Sequence, residues 1–418
     1  MIEPRNATSP KPLKGLKVLE MGQLLAGPFA SALLAWFGAE VIKVEPPDAG
    51  DPIRTWRLLY NGTSLWWYVL GRNKKCITIN LRKPKGQDLV RQLVSHVDVL
   101  VENFTPGTME KWGLGYDDLK RVNPRLIMTR VSGWGQTGPY SHKRGYASIA
   151  EAVGGLRYVN GYPDRPPVRP NLSLGDSIAA LHAVIGILTA LYHRDVVGSG
   201  KGQVVDIAIF ESVFNMLESM VPEYDKLGII REREGSTLSG IVPTGTYPCK
   251  EGKFVVIGGN GDSIFKRLCH AMERRDMEDD PRFANNVGRV AHQQEIENAI
   301  TAWTSQRTAS EVLDILERAE IPVGLIYSVS DMMQDPQFIA RGLFEAVSLP
   351  DGSSVKLPTL VHKLTDTPGG TEWIGASLGA HNREVLGGWL GLSEEELQSL
   401  ATEGIIKLPE ASVNSDAD

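Results

Sequence analysis

Residues 15–45 read GLKVLEMGQLLAGPFASALLAWFGAEVIKVE, and this stretch decides the fold. Its first part, Gly15 to Glu20, carries Leu16, Val18 and Leu19 and predicts a short strand. Pro28 sits just inside the helix that follows, where a missing N–H is tolerated, and the helix runs to about Phe37. Gly38 ends it, and Val41, Ile42 and Val44 make Glu40 to Glu45 a second strand. Strand, helix and strand within about 30 residues form a βαβ unit, hence a parallel sheet. The connecting loop, Met21-Gly22-Gln23-Leu24-Leu25-Ala26-Gly27-Pro28, is neither GxGxxG nor a P-loop, so it carries no nicotinamide or ATP signature. A helix start at the carboxyl end of a strand still suits a phosphate or thioester ligand.

Outward from this unit the alternation continues. Strands are expected at Cys76 to Leu81, Val97 to Val101 and Leu126 to Val131, with helical pattern at Gly86 to Ser95, Leu119 to Asn123 and Ala147 to Val153. A glycine-rich loop, Gly133 to Gly138, and a proline-rich one, Pro163 to Pro170, lead to Asp176 and the apolar run Ile178 to Tyr192. This predicts a doubly wound, Rossmann-like α/β domain. After about Leu227 the character changes. Gly245 to Pro248 and Lys253 to Ile257 read as short strands. Helices are expected at Phe265 to Met272, Gln293 to Thr304 and Ala309 to Ala319. We therefore expect a large α/β domain over residues 1–225, a smaller α+β domain inserted at 226–325, and a return to the large domain over 326–418. The proline-rich first dozen residues read as an arm, and the chain ends in an acidic tail.

The 418 residues exceed one ordinary domain. Lys+Arg 44 against Asp+Glu 50 gives a net charge of -6, which argues against a nucleic-acid partner. Three cysteines without CxxC spacing predict a reducing, cytoplasmic location. The apolar run after Asp176 reads as too short and interrupted for a membrane span. None of the eight histidines has HxH or HExxH spacing, so no metal site is expected. No Gly-x-Ser-x-Gly elbow points to a serine hydrolase.

Asp176 is the most informative single residue. A helix N-terminus favours an ionised carboxylate, and Gly175 beside it permits close approach of a ligand. Asp176 reads either as the N-cap of the helix or as a nucleophile that forms an acyl intermediate. Val99 to Gly107 reads as a strand ending in a pocket at the sheet edge, with Lys111 in reach of a phosphate. Arg72-Asn73-Lys74-Lys75 and Arg82-Lys83-Pro84-Lys85 read as solvated charge runs or as a polyphosphate patch.

Together these segments resemble the class III coenzyme A transferases, the family that includes formyl-CoA transferase, carnitine CoA-transferase and α-methylacyl-CoA racemase. The carrying segments are Gly15 to Leu19, Ala26-Gly27-Pro28, Gly38 to Glu45, Arg72 to Lys75, Val101-Glu102-Asn103-Phe104, Gly133 to Tyr140 and Leu174-Gly175-Asp176. The resemblance implies an acyl-CoA:carboxylate CoA-transferase with Asp176 as the covalent nucleophile. It implies CoA contacts at Leu25, Ala26, Arg82, Asn103, Phe104, Lys111, Arg144 and Tyr146. Gln23, Trp56 and Trp66 match substrate-pocket positions, and Gly258-Gly259-Asn260-Gly261 matches a glycine-rich lid. No tightly bound cofactor is implied; coenzyme A arrives as part of the substrates. The implied assembly is an interlocked homodimer, with a heteromer of related subunits as the alternative, and the implied donor is succinyl-CoA. Trp56, Trp66 and Trp67, with Arg54, Arg57 and Arg169, suit a bulky or dicarboxylic acceptor.

Two departures stand out. Pro46 replaces a basic CoA contact, and Ala147 replaces an acidic residue. The racemases carry a His-Asp pair where this chain has Gly145-Tyr146-Ala147, so the transferase is expected over a racemase, and the presence of Asp176 favours it over a non-catalytic CoA-binding subunit.

Overall fold

Six parallel strands form the central sheet, in the spatial order Lys74–Thr78, Glu40–Glu45, Lys17–Glu20, Val99–Glu102, Ile127–Ser132 and Val204–Ala208. The computed structural model describes residues 10–409. The expected acidic tail and most of the expected N-terminal arm lie outside the described residues. The chain winds outward from Lys17–Glu20 in one direction, then returns and winds outward from Val99–Glu102 in the other. Those two neighbouring strands are the topological switch point, and open α/β sheets bind ligands outside the carboxyl ends of their strands at that point.

Both faces of the sheet are covered, which is why its strands read as nearly continuous apolar runs. Leu19, Ile42, Leu100 and Met128 pack against Leu89, Val90 and Leu93 of the helix Pro84–Val94. Val385, Leu386, Leu397 and Ile405, from the C-terminal segment, join the same cluster. The alternate residues Val18, Val41, Val99 and Ile127 face Leu34, Ala35, Ile187 and Ala190 on the other side.

The strand expected at Cys76 to Leu81 lies instead at Lys74–Thr78. Its first two residues are lysines that find carboxylate partners, so their charge hides them from a hydropathy reading. The strand Val204–Ala208 was not separately expected. The helix expected from Ile178 runs over 22 residues, Leu174–Asp195. Contrary to the sequence reading, it is long and apolar enough to cross a membrane. Its small residues Ala179, Ala180 and Ala183 instead pack in the protein.

The chain forms two compact units. Among the described residues, one comprises residues 10–155, Asn171–Leu217 and residues 340–409. The other comprises Leu156–Pro170 and Glu218–Ile339. Within the second unit, Phe254–Gly258 pairs antiparallel with both Thr244–Pro248 and Val323–Leu325. Helices Asp262–Ala271, Gln293–Thr304 and Ala309–Arg318 cover this sheet through Phe265, Leu268, Ile296, Ile300, Val312 and Leu316.

Candidate active site

The loop after the first strand is held from below by buried charge. Lys43 Nζ pairs with Glu20 at 2.6 Å and with Asp51 at 2.7 Å, and Lys74 Nζ pairs with Glu20 at 2.6 Å. Burial alone raises the Glu20 carboxyl, but the two ammonium groups outweigh it and hold it down at about 2. The same groups grip the backbone. Lys43 donates to Gly22 O, Lys74 to Pro28 O, and Asp51 Oδ1 accepts the N–H groups of Leu24 and Ile53. Leu24 is thereby held in the left-handed region at φ 62°, a conformation that costs a non-glycine residue about 1 kcal/mol or more.

Asn103 closes the loop from the side. Its Oδ1 accepts Gln23 N–H and its Nδ2 donates to Gln23 O, both at 2.8 Å. This reciprocal pair sits at the switch point, joining the ends of the first and fourth strands in spatial contact there. A Cβ on Gly22 would stand 3.2 Å from Asn103 Oδ1, so glycine allows that close approach. The helix Ala26–Trp36 then starts with Leu25 at its N-cap and no side chain capping it. An uncapped start leaves the backbone N–H groups of Ala26 and Gly27 for an anionic ligand, and Pro28 has none to satisfy.

A cavity of about 1090 Å3 opens along the carboxyl ends of the strands. Met21, Gln23, Pro46, Ile79, Asn80, Arg82, Phe104 and Trp112 line it. Glu102 fixes the last of these walls: its Oε2 accepts the Phe104 N–H at 2.7 Å, and the Phe104 ring meets Trp112 edge to face. The C-terminal segment supplies Arg383, Gln398, Ile406, Lys407 and Pro409. Among the described residues, Arg82 and Lys407 are exposed and make no ion pair, whereas Arg383 is paired with Glu394. Lys407 thus brings a cation to the cavity that Pro46 lines without one. Nothing in the sequence marked Lys407, because its contact with residue 78 spans 329 positions.

The basic cluster Arg72-Asn73-Lys74-Lys75 is not a phosphate patch. Lys74 is fully buried on Glu20, Arg72 pairs with Glu345, and Asn73 bonds Gly370 O and the N–H of Glu372. Lys75 pairs with Glu40 and Glu384, so every charge there already has a partner. The second cluster divides: Lys83 and Lys85 are held by Glu403, and Arg82 alone faces the cavity.

Asp176 lies in the first turn of its helix, half-buried, at the third helical position. The N-cap is Ser173, which corrects the capping alternative for Asp176. Two clusters fix where this turn opens. Ala26 and Ala30 pack with Ala179, Ala180 and Ala183, while Leu34 and Ala35 pack with Ile187 and Ala190. The two helices therefore run side by side in the same direction. Both begin at the carboxyl edge of the sheet, and their alanines permit a close seam. Asp176 is brought to the same edge as Leu25 and Ala26.

Tyr146 is the exposed N-cap of the helix Ala147–Val153, from which Ala147 and the buried Glu151 face Gly175. Arg144, also exposed, accepts a hydrogen bond from the Trp134 indole through its carbonyl. Glu151 was missed in the sequence, where its signal was a lone carboxylate among alanines.

The remaining candidates are more dispersed. Lys111 ends the short helix Thr108–Lys111, next to Trp112 of the cavity wall. Ser64 ties Trp56 and Trp66 together, its hydroxyl donating to Trp56 O and accepting from Trp66 N. Arg57 lies over the Trp66 ring at 4.6 Å. Arg54 is consumed by Glu45 and stacks on Trp67 at 3.7 Å, so it is not free for a substrate carboxylate. Gly258 to Gly261 belong to the second unit, where they form a turn from strand to helix rather than a loose loop. Gly258 and Gly259 donate to Pro322 O and Pro243 O, and Asn260 O accepts from Arg289. A Cβ at 259 would stand 2.8 Å from Leu268 Cδ2 and 3.0 Å from Pro243 Cγ, so a larger residue there would have to displace those side chains.

No thiol competes with a carboxylate nucleophile. Cys76, Cys249 and Cys269 are buried, and burial pushes the Cys76 and Cys269 thiols up to about 12. Among the described residues no cluster of His, Cys, Asp and Glu is arranged to hold a metal ion.

Comparison with known proteins agrees with this arrangement. The model of CoA-transferase family III matches residues 13–382. The chain belongs to this family. The family-III chain is 51% identical to the succinyl-CoA--D-citramalate CoA-transferase of Chloroflexus aurantiacus, over 95% of its own length and 98% of the relative's. It is 40% identical to the alpha subunit of the succinyl-CoA--L-malate CoA-transferase of Chloroflexus aurantiacus, over 97% and 95% of the two chains. The crystal structure of a CAIB/BAIF family protein from Brucella suis superposes with a TM-score of 0.79 at 33% identity, covering 91% of this chain and 99% of that one. The protein is a CoA-transferase, and its substrates are a CoA thioester and a carboxylic acid.

Proposed function

We propose that this CoA-transferase moves coenzyme A from succinyl-CoA to a dicarboxylic acid through a covalent intermediate on Asp176. The observation that carries the reading is the parallel seam between two helices, which opens Asp176 and the cavity loop at one edge of the sheet. In this reading the Asp176 carboxylate attacks the thioester carbonyl, the C–S bond breaks, and CoA thiolate leaves an aspartyl–succinyl anhydride. The thiolate attacks the aspartyl carbonyl and releases succinate, which leaves Asp176 as a CoA thioester. The acceptor carboxylate attacks that thioester, forming a second anhydride and freeing the thiolate. Attack of the thiolate on the acceptor carbonyl gives the new CoA ester and restores Asp176. No water enters the balance, and the intermediates are lost if it does.

Arg82 and Lys407 would hold CoA phosphates, and the uncapped start at Leu25 and Ala26 would receive the ligand backbone. Lys111, Arg144 and Tyr146 are kept as further CoA contacts, and Trp56 and Trp66 as substrate-pocket residues. The segment Gly258 to Gly261 is kept as the water-excluding cover that the family resemblance implies. The names of the relatives favour succinyl-CoA as donor and a hydroxylated dicarboxylate as acceptor.

The second unit would be the inserted small domain, and the chain would form an interlocked homodimer in the cytoplasm. The exposed apolar residues Leu181, Ile185, Leu188 and Tyr192, spaced along one stripe of the helix Leu174–Asp195, support a protein partner there. A subunit name among the relatives keeps a heteromer as the alternative.

The test is a panel of acyl-CoA donors against carboxylic acids, read by mass spectrometry, with Asp176→Ala alongside. Succinyl-CoA with a four- or five-carbon dicarboxylate is expected to turn over fastest, and Asp176→Ala is expected to be folded and inactive. Removing a carboxylate from a first helical turn costs about 0.3–1 kcal/mol, too little to unfold the protein. Near-normal turnover by the folded variant contradicts the proposal.

A further inference from the structure

Glu151 has no solvent exposure, yet it carries a carboxylate. Its Oε1 accepts the Gly175 N–H at 3.1 Å. Gly175 is the second residue of the helix Leu174–Asp195, Asp176 is the third, and the Ser173 side chain at the N-cap makes no capping hydrogen bond. The first N–H groups of a helix need acceptors from outside it. Here one acceptor reaches in from another helix. The fit is close: a Cβ on Gly175 would stand 3.2 Å from Glu151 Cγ, 3.3 Å from Ile209 Cγ2 and 3.4 Å from Ala147 Cβ. The backbone one residue before Asp176 is therefore tied to Glu151 by a hydrogen bond, in a space that a side chain on Gly175 would crowd.

We propose that Glu151 is the positioning residue for Asp176. It acts through reach, as a buried acceptor that fixes the first helical turn and so aims the Asp176 carboxylate. This rests on the reading of Asp176 as nucleophile. Glu151 bonds the backbone of Gly175, and its influence on the reaction passes through that bond. A carboxylate displaced by about 1 Å from its line of attack loses rate on the order of 100-fold, while binding of the remote CoA moiety is untouched.

Two substitutions separate reach from charge. Glu151→Asp keeps the charge and withdraws the acceptor by one methylene. Glu151→Gln keeps the reach and an acceptor oxygen but removes the charge. For each, kcat, KM for the acyl-CoA donor, and the thermal midpoint are measured. We expect E151D to lower kcat by about 10-fold or more with KM within about 2-fold, and E151Q to retain kcat within about 3-fold. A merely structural role would lower the thermal midpoint and leave kcat per folded molecule unchanged. Parental kcat in a folded E151D overturns the inference, as does an E151Q as inactive as E151D. Should E151D fail to fold, Glu151→Asn, which withdraws the acceptor by one methylene without burying a charge, is read by the same threshold as E151D. Asp176→Asn is the control. If it still transfers, the nucleophile reading fails; if it is inactive while E151D is unimpaired, only the role of Glu151 fails.

Discussion

Arg82 and Lys83 are neighbours in the chain with different fates: Lys83 donates to the Glu403 backbone carbonyl, and Arg82 looks into the cavity without an acidic partner. Arg82→Ala is expected to raise KM for the acyl-CoA several-fold at low salt and less at high salt, because exposed charge is screened over about 10 Å at 0.1 M. Steady-state kinetics at two ionic strengths check this, and an unchanged KM at both places the phosphates elsewhere. In the sequence Arg72 to Lys75 looked the same as Arg82 to Lys85. What distinguishes them is the position of Glu20, Glu345 and Glu403, which are remote in the chain, and local composition carries no trace of that pairing. The place of Asp176 at the start of its helix was legible because its neighbours Leu174 and Gly175 and the apolar run beyond it are contiguous. Glu151 was not, since its role depends on two helices meeting.

At the scale of elements, the helix Ala26–Trp36 and its loop rest on three fully buried charges, Glu20, Lys43 and Lys74. Glu20→Gln removes the carboxylate that both lysines share and is expected to destabilise the protein by about 3–5 kcal/mol, read by denaturant unfolding. A loss below about 1 kcal/mol would mean the lysines find other partners. The pH dependence has a definite sign. The Glu20 carboxyl is held at about 2, below its ordinary value of 4.5, so its contribution is fully present above 4.5 and is lost as pH falls towards 2. Between those values the parent is expected to lose stability more steeply than Glu20→Gln, and parallel pH profiles would contradict the account. The strands Lys17–Glu20 and Glu40–Glu45 were legible almost residue by residue, since both are apolar and bounded by glycine or charge. Lys74–Thr78 was displaced because buried ion pairs, rather than apolar side chains, place its first residues.

For the whole molecule, alternating strands and helices announced a parallel sheet, and a return of residues 326–418 to the large domain was expected, but not that residues 382 to 409 line the sheet's carboxyl edge. Those contacts join Thr78 to Asn382 and Asn80 to Ile405, and no periodicity encodes them. The exposed stripe on the helix Leu174–Asp195 bears on assembly. The chain is expected to run as a two-chain particle by light scattering, and Leu181→Lys with Leu188→Lys is expected to weaken that association. A parent that is monomeric throughout the assayed range would contradict the proposed dimer.

The central claim is that Asp176 becomes covalently activated by the donor. The direct measurement is incubation with succinyl-CoA alone, trapping with hydroxylamine or borohydride, and peptide mass spectrometry. The account predicts a modified Asp176 without any acceptor, because the first half-reaction needs none. Rapid transfer with both substrates present, and no adduct on Asp176 under any trapping condition, would contradict it.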